Sequence, residues 1–298
     1  MRIGTMLLKP PRSIEDLIGT ARQVEAAGLD HLWISHIFGF DAISVMGIIG
    51  REVPRIRLGT SVTPTYPRHP TAIAQQALTT AAATKNRFTL GVGLSHQKII
   101  ENFLGLSFKR RSDHMREYLK ILMPLARGEQ VSFRGEEYNV DKFRLNVPGV
   151  QSMPVIIAAL GSKMLALAGE LADGTNTWMV GPKTMANHIV PGLRNPDSTV
   201  IGGIPIVLTN KVAEAREQIA KILKNYGEVP SYRAMLDKEG VLGPANIASV
   251  GDEITLRHDI LRYKEAGVTD LNAYIMHTDP GASDRTLEFL SSLSLESV

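Results

Sequence analysis

IRLGTSVTPTYPRHPTAIAQQALTTAAA, residues 56–83, is the stretch whose reading decides the fold. Ile56–Val62 is short, apolar and β-branched enough to be a buried strand. Pro64 and Pro67 stop it. Pro70 stands at the first turn of a helix, where a missing N–H is tolerated, and the apolar spacing carries that helix to Ala83. A buried strand that runs through a stiff loop straight into a helix is the repeating unit of a parallel sheet. The same unit recurs on both sides. Upstream come Arg2–Leu8, a helix opened by Ser13 and Asp16 in a capping-box-like start and closed at Gly28, the strand His31–Ser35 and the helix Asp41–Glu52. Downstream come strands at Phe88–Gly93, Pro154–Ala159, Gly174–Met179, Val200–Leu208 and Asp270–Met276. Helices are expected at Ser162–Ala172, Lys211–Tyr226 and Asp252–Ala266, with two stretches running to about Arg127, shorter pieces near Lys183–Ile189, Tyr232–Lys238 and Pro244–Ala248, and a last one from Ala282. Eight strand–helix units, with no G-x-G-x-x-G turn after the first strand, predict a closed (β/α)8 TIM barrel rather than an open doubly wound sheet. One domain is expected over residues 1–298. The rhythm breaks in an inserted segment at about 104–153, within which VSFRGEEYNV (131–140) reads as a hairpin turning at Arg134-Gly135.

Composition narrows the functions. The chain has 298 residues, 44% of them hydrophobic and 21% charged, so it can bury a full barrel core. It has no cysteine, which excludes disulfides, thiolate metal sites and a cysteine nucleophile, and a cytoplasmic location is expected. A net charge of +3 with Lys and Arg dispersed among acids argues against nucleic acid. No apolar run approaches the roughly 18 residues of a membrane span, so no membrane partner is expected. The N-terminal MRIGTMLLKPP reads as a first strand, not a signal peptide. No nucleophile–base pair suggests a hydrolase, and the first strand offers no ligand for a barrel metal site.

Barrel chemistry sits at the C-terminal strand ends. These are Lys9–Pro11, His36–Phe40, Thr63–His69, Leu94–His96, Leu160–Lys163, Trp178–Gly181, Thr209–Asn210 and His277–Asp279. The third strand passes through small and hydroxylated residues, which let backbone approach a flat ligand closely; a merely stiff loop is the rival reading. Gly161, Ser162 and Lys163 open a helix, whose free N–H groups and ammonium suit a phosphate, or else Ser162 is an ordinary N-cap. Trp178 could be a lid over a ring or core packing. His96 could carry a proton or cap the next helix. Tyr66, Phe38, Met179 and Met276 could shape an apolar cavity or fill the barrel.

Gly-Thr-Ser-Val at 59–62, Arg-His-Pro at 68–70 and Arg-Phe-Thr-Leu-Gly-Val-Gly at 87–93 together resemble the luciferase-like family, especially its branch dependent on the deazaflavin coenzyme F420. The resemblance spans essentially the whole chain. It implies a cis peptide between Ser61 and Val62 backing the central ring of the coenzyme, with Thr63 at the ring edge. It implies that Gly93, Leu94 and Ser95 lie along the pyrimidine side, where backbone donors stabilise charge that builds during hydride transfer. The phosphate would lie on Ala159, Leu160, Gly161, Ser162, Lys163 and Met164, with Trp178 and His36 at the ring. The chain departs from the sugar-phosphate dehydrogenases of that branch. His36 stands where they have Asp, Ile37 where they have His, His96 where they have Glu, and Trp178 where they have a hydroxyl.

The expectation is therefore an oxidoreductase moving a hydride between F420 and a small organic substrate, apolar or moderately polar, held under the strand-two, strand-six and insertion loops. Any proton would come from His36, His96 or solvent. The resemblance also implies a homodimer. An FMN-dependent monooxygenase on the same barrel and a non-catalytic deazaflavin-binding protein are the alternatives.

Overall fold

The structure is a computed structural model describing residues 1–8 and 13–295, so the strand-end loop Lys9–Pro11 lies outside the described residues. Twelve strands are present among them. In chain order these are β1 Arg2–Leu7, β2 His31–Ile34, β3 Arg57–Thr60, β4 Thr63–Pro64, β5 Phe88–Gly93, β6 Val131–Arg134, β7 Asn139–Phe143, β8 Val155–Ala158, β9 Gly174–Trp178, β10 Thr199–Leu208, β11 Ser249–Gly251 and β12 Asp270–Ile275. β1, β2, β3 with its continuation β4, β5, β8, β9, β10 and β12 pair in parallel around a ring. The ring is closed by β9 on β10 and by β10 on β12, which returns to β1. This is the expected (β/α)8 barrel.

The helix Pro70–Ala83 has the predicted bounds, and Asp41 and Ser13 accept hydrogen bonds from the N–H groups of Ser44 and Asp16 as N-caps. Gly28 follows the first helix at φ +72°, a backbone conformation that favours glycine. Within 104–153, the helix Arg111–Ala126 takes the fourth place in the outer layer, between helices 70–83 and 162–171.

Three expectations are corrected. The hairpin turns over residues 135–138 rather than at Arg134-Gly135, because the Glu117 carboxylate accepts from the N–H groups of Glu136, Glu137 and Tyr138 and holds a wider loop open. The helix expected over Lys211–Tyr226 is broken into Val212–Ile222 and Lys224–Glu228. The residues after Pro244 form only a short turn before β11, a ninth parallel strand that adds to β10 outside the ring.

The barrel interior is filled by side chains rather than open. Met6, Trp33, Ile156, Trp178, Ile201 and Tyr274 form its core, and the two indoles fit because glycines face them. A Cβ on Gly59 would lie 2.1 Å from the Trp33 ring, and one on Gly203 would lie 3.0 Å from that of Trp178. The floor, at the N-terminal strand ends, is polar. Asp270 accepts from the Arg2 guanidinium at 2.6 and 2.8 Å, and buried His31 lies 3.8 Å away. No described helix is long and apolar enough to cross a membrane.

Candidate active site

The third barrel strand is where the sequence and the mouth meet. β3 pairs with β5 as Gly59 with Thr89, and β4 resumes as Thr63 with Val92. Four residues therefore advance on one strand against three on the other, which is a β-bulge. The Ser61–Val62 peptide within it is cis. The Thr60 hydroxyl repairs the broken ladder, donating to the Gly91 carbonyl at 2.8 Å and accepting from the Gly91 N–H at 2.9 Å. Neighbouring strands brace the bulge. The Ser35 hydroxyl donates to the Ser61 carbonyl, and the Asn176 amide donates to the Ser61 hydroxyl, each at 2.9 Å.

This bulge carries Val62 to the C-terminal face, half exposed. Gly93 and Ala158 lie against it; a Cβ on Gly93 would come within 2.6 Å of the Val62 side chain and 3.2 Å of the Ala158 Cβ. Thr63 is buried, and its hydroxyl finds no partner among the described residues. A buried hydroxyl without a partner is uncommon in a folded chain. Leu94, Ser95 and His96 follow at the mouth, half exposed, with Ser95 in the left-handed region at φ 63°.

At the end of β8, Ala159 is buried and Leu160 half-buried, with the Leu160 carbonyl accepting from the His188 ring. Gly161, not Ser162, is the N-cap of the helix Ser162–Leu171, so no side chain caps its first N–H groups. Gly161, Ser162 and Lys163 are exposed, Met164 is half-buried, and Lys163 has no ion-pair partner among the described residues. An uncapped helix N-terminus beside a free ammonium is an anion site in charge and in donor geometry.

The two histidines singled out from the sequence fall into different clusters. The His36 ring accepts from the Ala42 N–H through Nδ1 at 3.3 Å, and its Nε2 lies 3.4 Å from the Arg68 guanidinium. Arg68 is itself bound to Asp41 at 2.8 Å. Burial, and then Arg68, hold His36 below the ordinary histidine range, only partly offset by Asp41. With Nδ1 accepting from Ala42, Nε2 carries the ring hydrogen beside Arg68, and the Asp41 carboxylate 3.7 Å from Nδ1 does not outweigh burial and Arg68. The His96 ring makes no hydrogen bond among the described residues; its carbonyl, not its ring, accepts from Ile99 and Ile100 to start the next turn. Burial lowers its pKa.

His96 meets Tyr232 edge-on at 5.8 Å, Tyr232 meets Tyr226 at 5.4 Å, and Tyr226 meets Trp178 at 5.8 Å. Trp178 in turn meets Tyr274 at 5.9 Å, so five aromatic rings cross the mouth from β5 to β12. Trp178 is thus both barrel packing and part of this wall. Sequence reading missed Tyr226, Tyr232 and Tyr274, and also the bracing residues Thr60, Ser35 and Asn176. Tyr226 and Tyr232 sit on helices 224–228 and 230–239, with no strand-end signal of their own, and Tyr274 lies within β12 rather than in the loop that follows it. A second missed cluster ties the hairpin to the mouth. His114, buried, bonds Glu137 at 2.7 Å and Thr65 at 2.9 Å and stacks on Tyr66 at 4.0 Å.

The parts together form a floor of backbone and small side chains at Val62, Gly93 and Ala158, an orphaned hydroxyl at Thr63 and an uncapped helix start at Gly161–Lys163. They fit a flat, hydrogen-bonding ring that bears a phosphate. The fold and mouth therefore define the class of flavin-type barrel oxidoreductases. The sequence profile of the luciferase-like monooxygenase family matches residues 1–270, and the chain belongs to that family. It is 33% identical over 199 residues to the F420-dependent glucose-6-phosphate dehydrogenase of Nakamurella multipartita, a match covering 62% of this chain and 58% of that one. Among solved structures, the coenzyme F420-dependent tetrahydromethanopterin reductase of Methanopyrus kandleri superposes with a TM-score of 0.83 at 18% identity over 99% of both chains. An F420-dependent secondary alcohol dehydrogenase bound to an F420–acetone adduct does so with a TM-score of 0.80 at 19% identity, covering 98% of this chain and 97% of that one.

Proposed function

We propose that the chain acts as one luciferase-like catalytic unit, an oxidoreductase that uses coenzyme F420 to transfer a hydride to or from a small organic substrate. The observation that carries this reading is the Val62–Gly93–Ala158 floor set beside the uncapped helix start at Gly161. Deazaflavin-dependent relatives support F420 as the coenzyme. When bound, the coenzyme supplies the hydride chemistry.

The chain's own residues do the rest. Ser61, Val62 and Thr63 would back the ring, with the Thr63 hydroxyl finding its partner there. Gly93, Leu94 and Ser95 would line its polar edge. The N–H groups of Ser162, Lys163 and Met164, with the Lys163 ammonium, would hold the phosphate behind Ala159, Leu160 and Gly161. Trp178 would cover the ring. His36, held neutral, would be a hydrogen-bonding partner at the mouth rather than an acid. His96, whose ring is free, would exchange the proton that accompanies hydride movement.

The test is a titration followed by tryptophan fluorescence. F420 should bind saturably and FMN at least tenfold more weakly. Tighter FMN binding together with oxygen consumption on turnover would replace this reading with a monooxygenase. F420 binding without hydride transfer to any substrate screened would leave a carrier.

A homodimer is part of the same reading. The groove between helices 42–52 and 70–83, of about 640 Å³, is lined by Gly47, Ala72 and Ala83 together with Arg51, Gln75 and Gln76, beside the exposed Ile48. A second copy would pack its own helix pair there. Ala72→Arg should convert a dimeric mass in light scattering to a monomeric one.

A further inference from the structure

Two loops at the mouth expose large apolar side chains that the barrel does not need. After β2, Ile37, Phe38 and Phe40 are 40%, 72% and 37% exposed; after β5, Phe103 and Leu104 are 61% and 44% exposed. Phe38 and Phe103 meet across the gap with ring centroids 6.0 Å apart. Scattered exposed apolar residues are ordinary, but a contiguous lip of them at a strand-end mouth marks a surface that something apolar covers.

The same segment after β5 carries His96, which begins the aromatic wall of His96, Tyr232, Tyr226, Trp178 and Tyr274. None of the five carries a charge at neutral pH, since burial keeps His96 deprotonated. The hydroxyls of Tyr232 and Tyr274 make no hydrogen bond among the described residues, whereas Tyr226 lies beside the Trp178 indole. Two guanidiniums at the strand ends are engaged, Arg68 with Asp41 at 2.8 Å and Arg285 with Asp279 at 2.5 Å, and Arg111 lies over the Phe108 ring at 5.6 Å. Lys98, next to the lip, is exposed, where water screens it. The wall thus offers an anion no built counter-charge and offers a neutral molecule apolar area with phenolic donors.

We infer that the substrate is an uncharged, lipophilic molecule bearing a carbonyl or carbinol oxygen, its carbon skeleton resting on the Phe38–Phe103 lip and its oxygen at the phenol of Tyr232. A sugar phosphate, the substrate named for the Nakamurella relative, is excluded. The inference rests on the F420 reading for its position beside the coenzyme, but binding of the substrate can be measured apart from turnover.

The protein saturated with F420 is titrated calorimetrically with 2-butanone, 2-hexanone and 2-decanone, and with glucose 6-phosphate. Affinity should rise along the ketone series by about fourfold per methylene, the ratio that apolar transfer sets, and glucose 6-phosphate should give no heat of binding. Phe38→Ser with Phe103→Ser should weaken 2-decanone at least tenfold while leaving F420 affinity unchanged. Tyr232→Phe should weaken 2-decanone but not decane. Glucose 6-phosphate binding as well as 2-decanone, or a flat ketone series indifferent to the Phe38 and Phe103 changes, overturns the inference. Should F420 fail to bind while the ketone series holds, the function proposed above falls and the lipophilic site stands.

Discussion

At the scale of single residues, the site depends on atoms that are missing as much as on those present. A Cβ on Gly91 would lie 1.9 Å from the Thr60 carbonyl oxygen and 3.1 Å from the Val62 side chain, so Gly91→Ala must push backbone, not a flexible side-chain end. The expected cost is about 1–3 kcal/mol of stability, as for other overpacked positions, with at least a tenfold loss of F420 affinity. Gly161→Ala, where nothing lies within 4 Å, should cost only the N-cap preference for glycine over alanine and lower the melting temperature less. Equal effects of the two in thermal denaturation would remove the bulge from the argument. His96 makes a second residue-scale prediction. Its pKa is lowered by burial, so in the oxidising direction its neutral, proton-accepting form persists below the ordinary histidine range, and activity should fall only as pH drops through that lowered value. His96→Asn should lower kcat and abolish this acid limb without changing F420 affinity; an unaltered pH profile would exclude the role. The sequence placed Ser61, Val62 and Gly93 together through the paired third- and fourth-strand motifs. It could not show that His36 is locked between Ala42 and Arg68, because that depends on a loop closing onto a helix start.

At the scale of elements, the legible features were those written in local chemistry. Pro70 and the Asp41 and Ser13 caps marked helix starts, and the β-branched runs marked strands. The hairpin turn was misplaced because a distant carboxylate, Glu117, satisfies its loop N–H groups. β11 was missed because three residues, Ser249–Gly251, carry too little periodicity to register. The helix Ser162–Leu171 was legible as an element, but whether Ser162 or Gly161 capped it was not. That distinction matters, since a capped N-terminus has fewer donors left for an anion. Lys163→Ala should weaken F420 several-fold and flatten the salt dependence of its binding, while the same coenzyme core stripped of its phosphate should bind both proteins alike. Equal weakening of both ligands would move the phosphate elsewhere.

At the scale of the whole molecule, closure of the barrel followed from counting eight strand–helix units, but the polar floor did not, because it joins residues 268 positions apart. Asp270 is held below the ordinary carboxylate range against its own desolvation, chiefly by the Arg2 hydrogen bonds and then by His31. His31 is wholly enclosed, and burial pulls its pKa from 6.5 to about 4 against the pull of Asp270. In the unfolded chain His31 binds a proton near pH 6.5, whereas in the barrel it does so only near 4. Between those values the unfolded state holds more protons, so stability falls as pH drops through this window and is independent of His31 above it. The ceiling on that loss is about 3 kcal/mol by proton linkage. His36, His96 and His114 are shifted the same way and add to the slope. Asp270 contributes only at still lower pH, as its depressed pKa is reached. Urea denaturation at pH 7, 6, 5 and 4.5 should show a steep decline for the native chain. His31→Gln, less stable than the native chain at pH 7, should decline more shallowly, so that the two curves converge in acid. Parallel curves would mean that His31 is already protonated in the fold, with Asp270 rather than burial governing the floor.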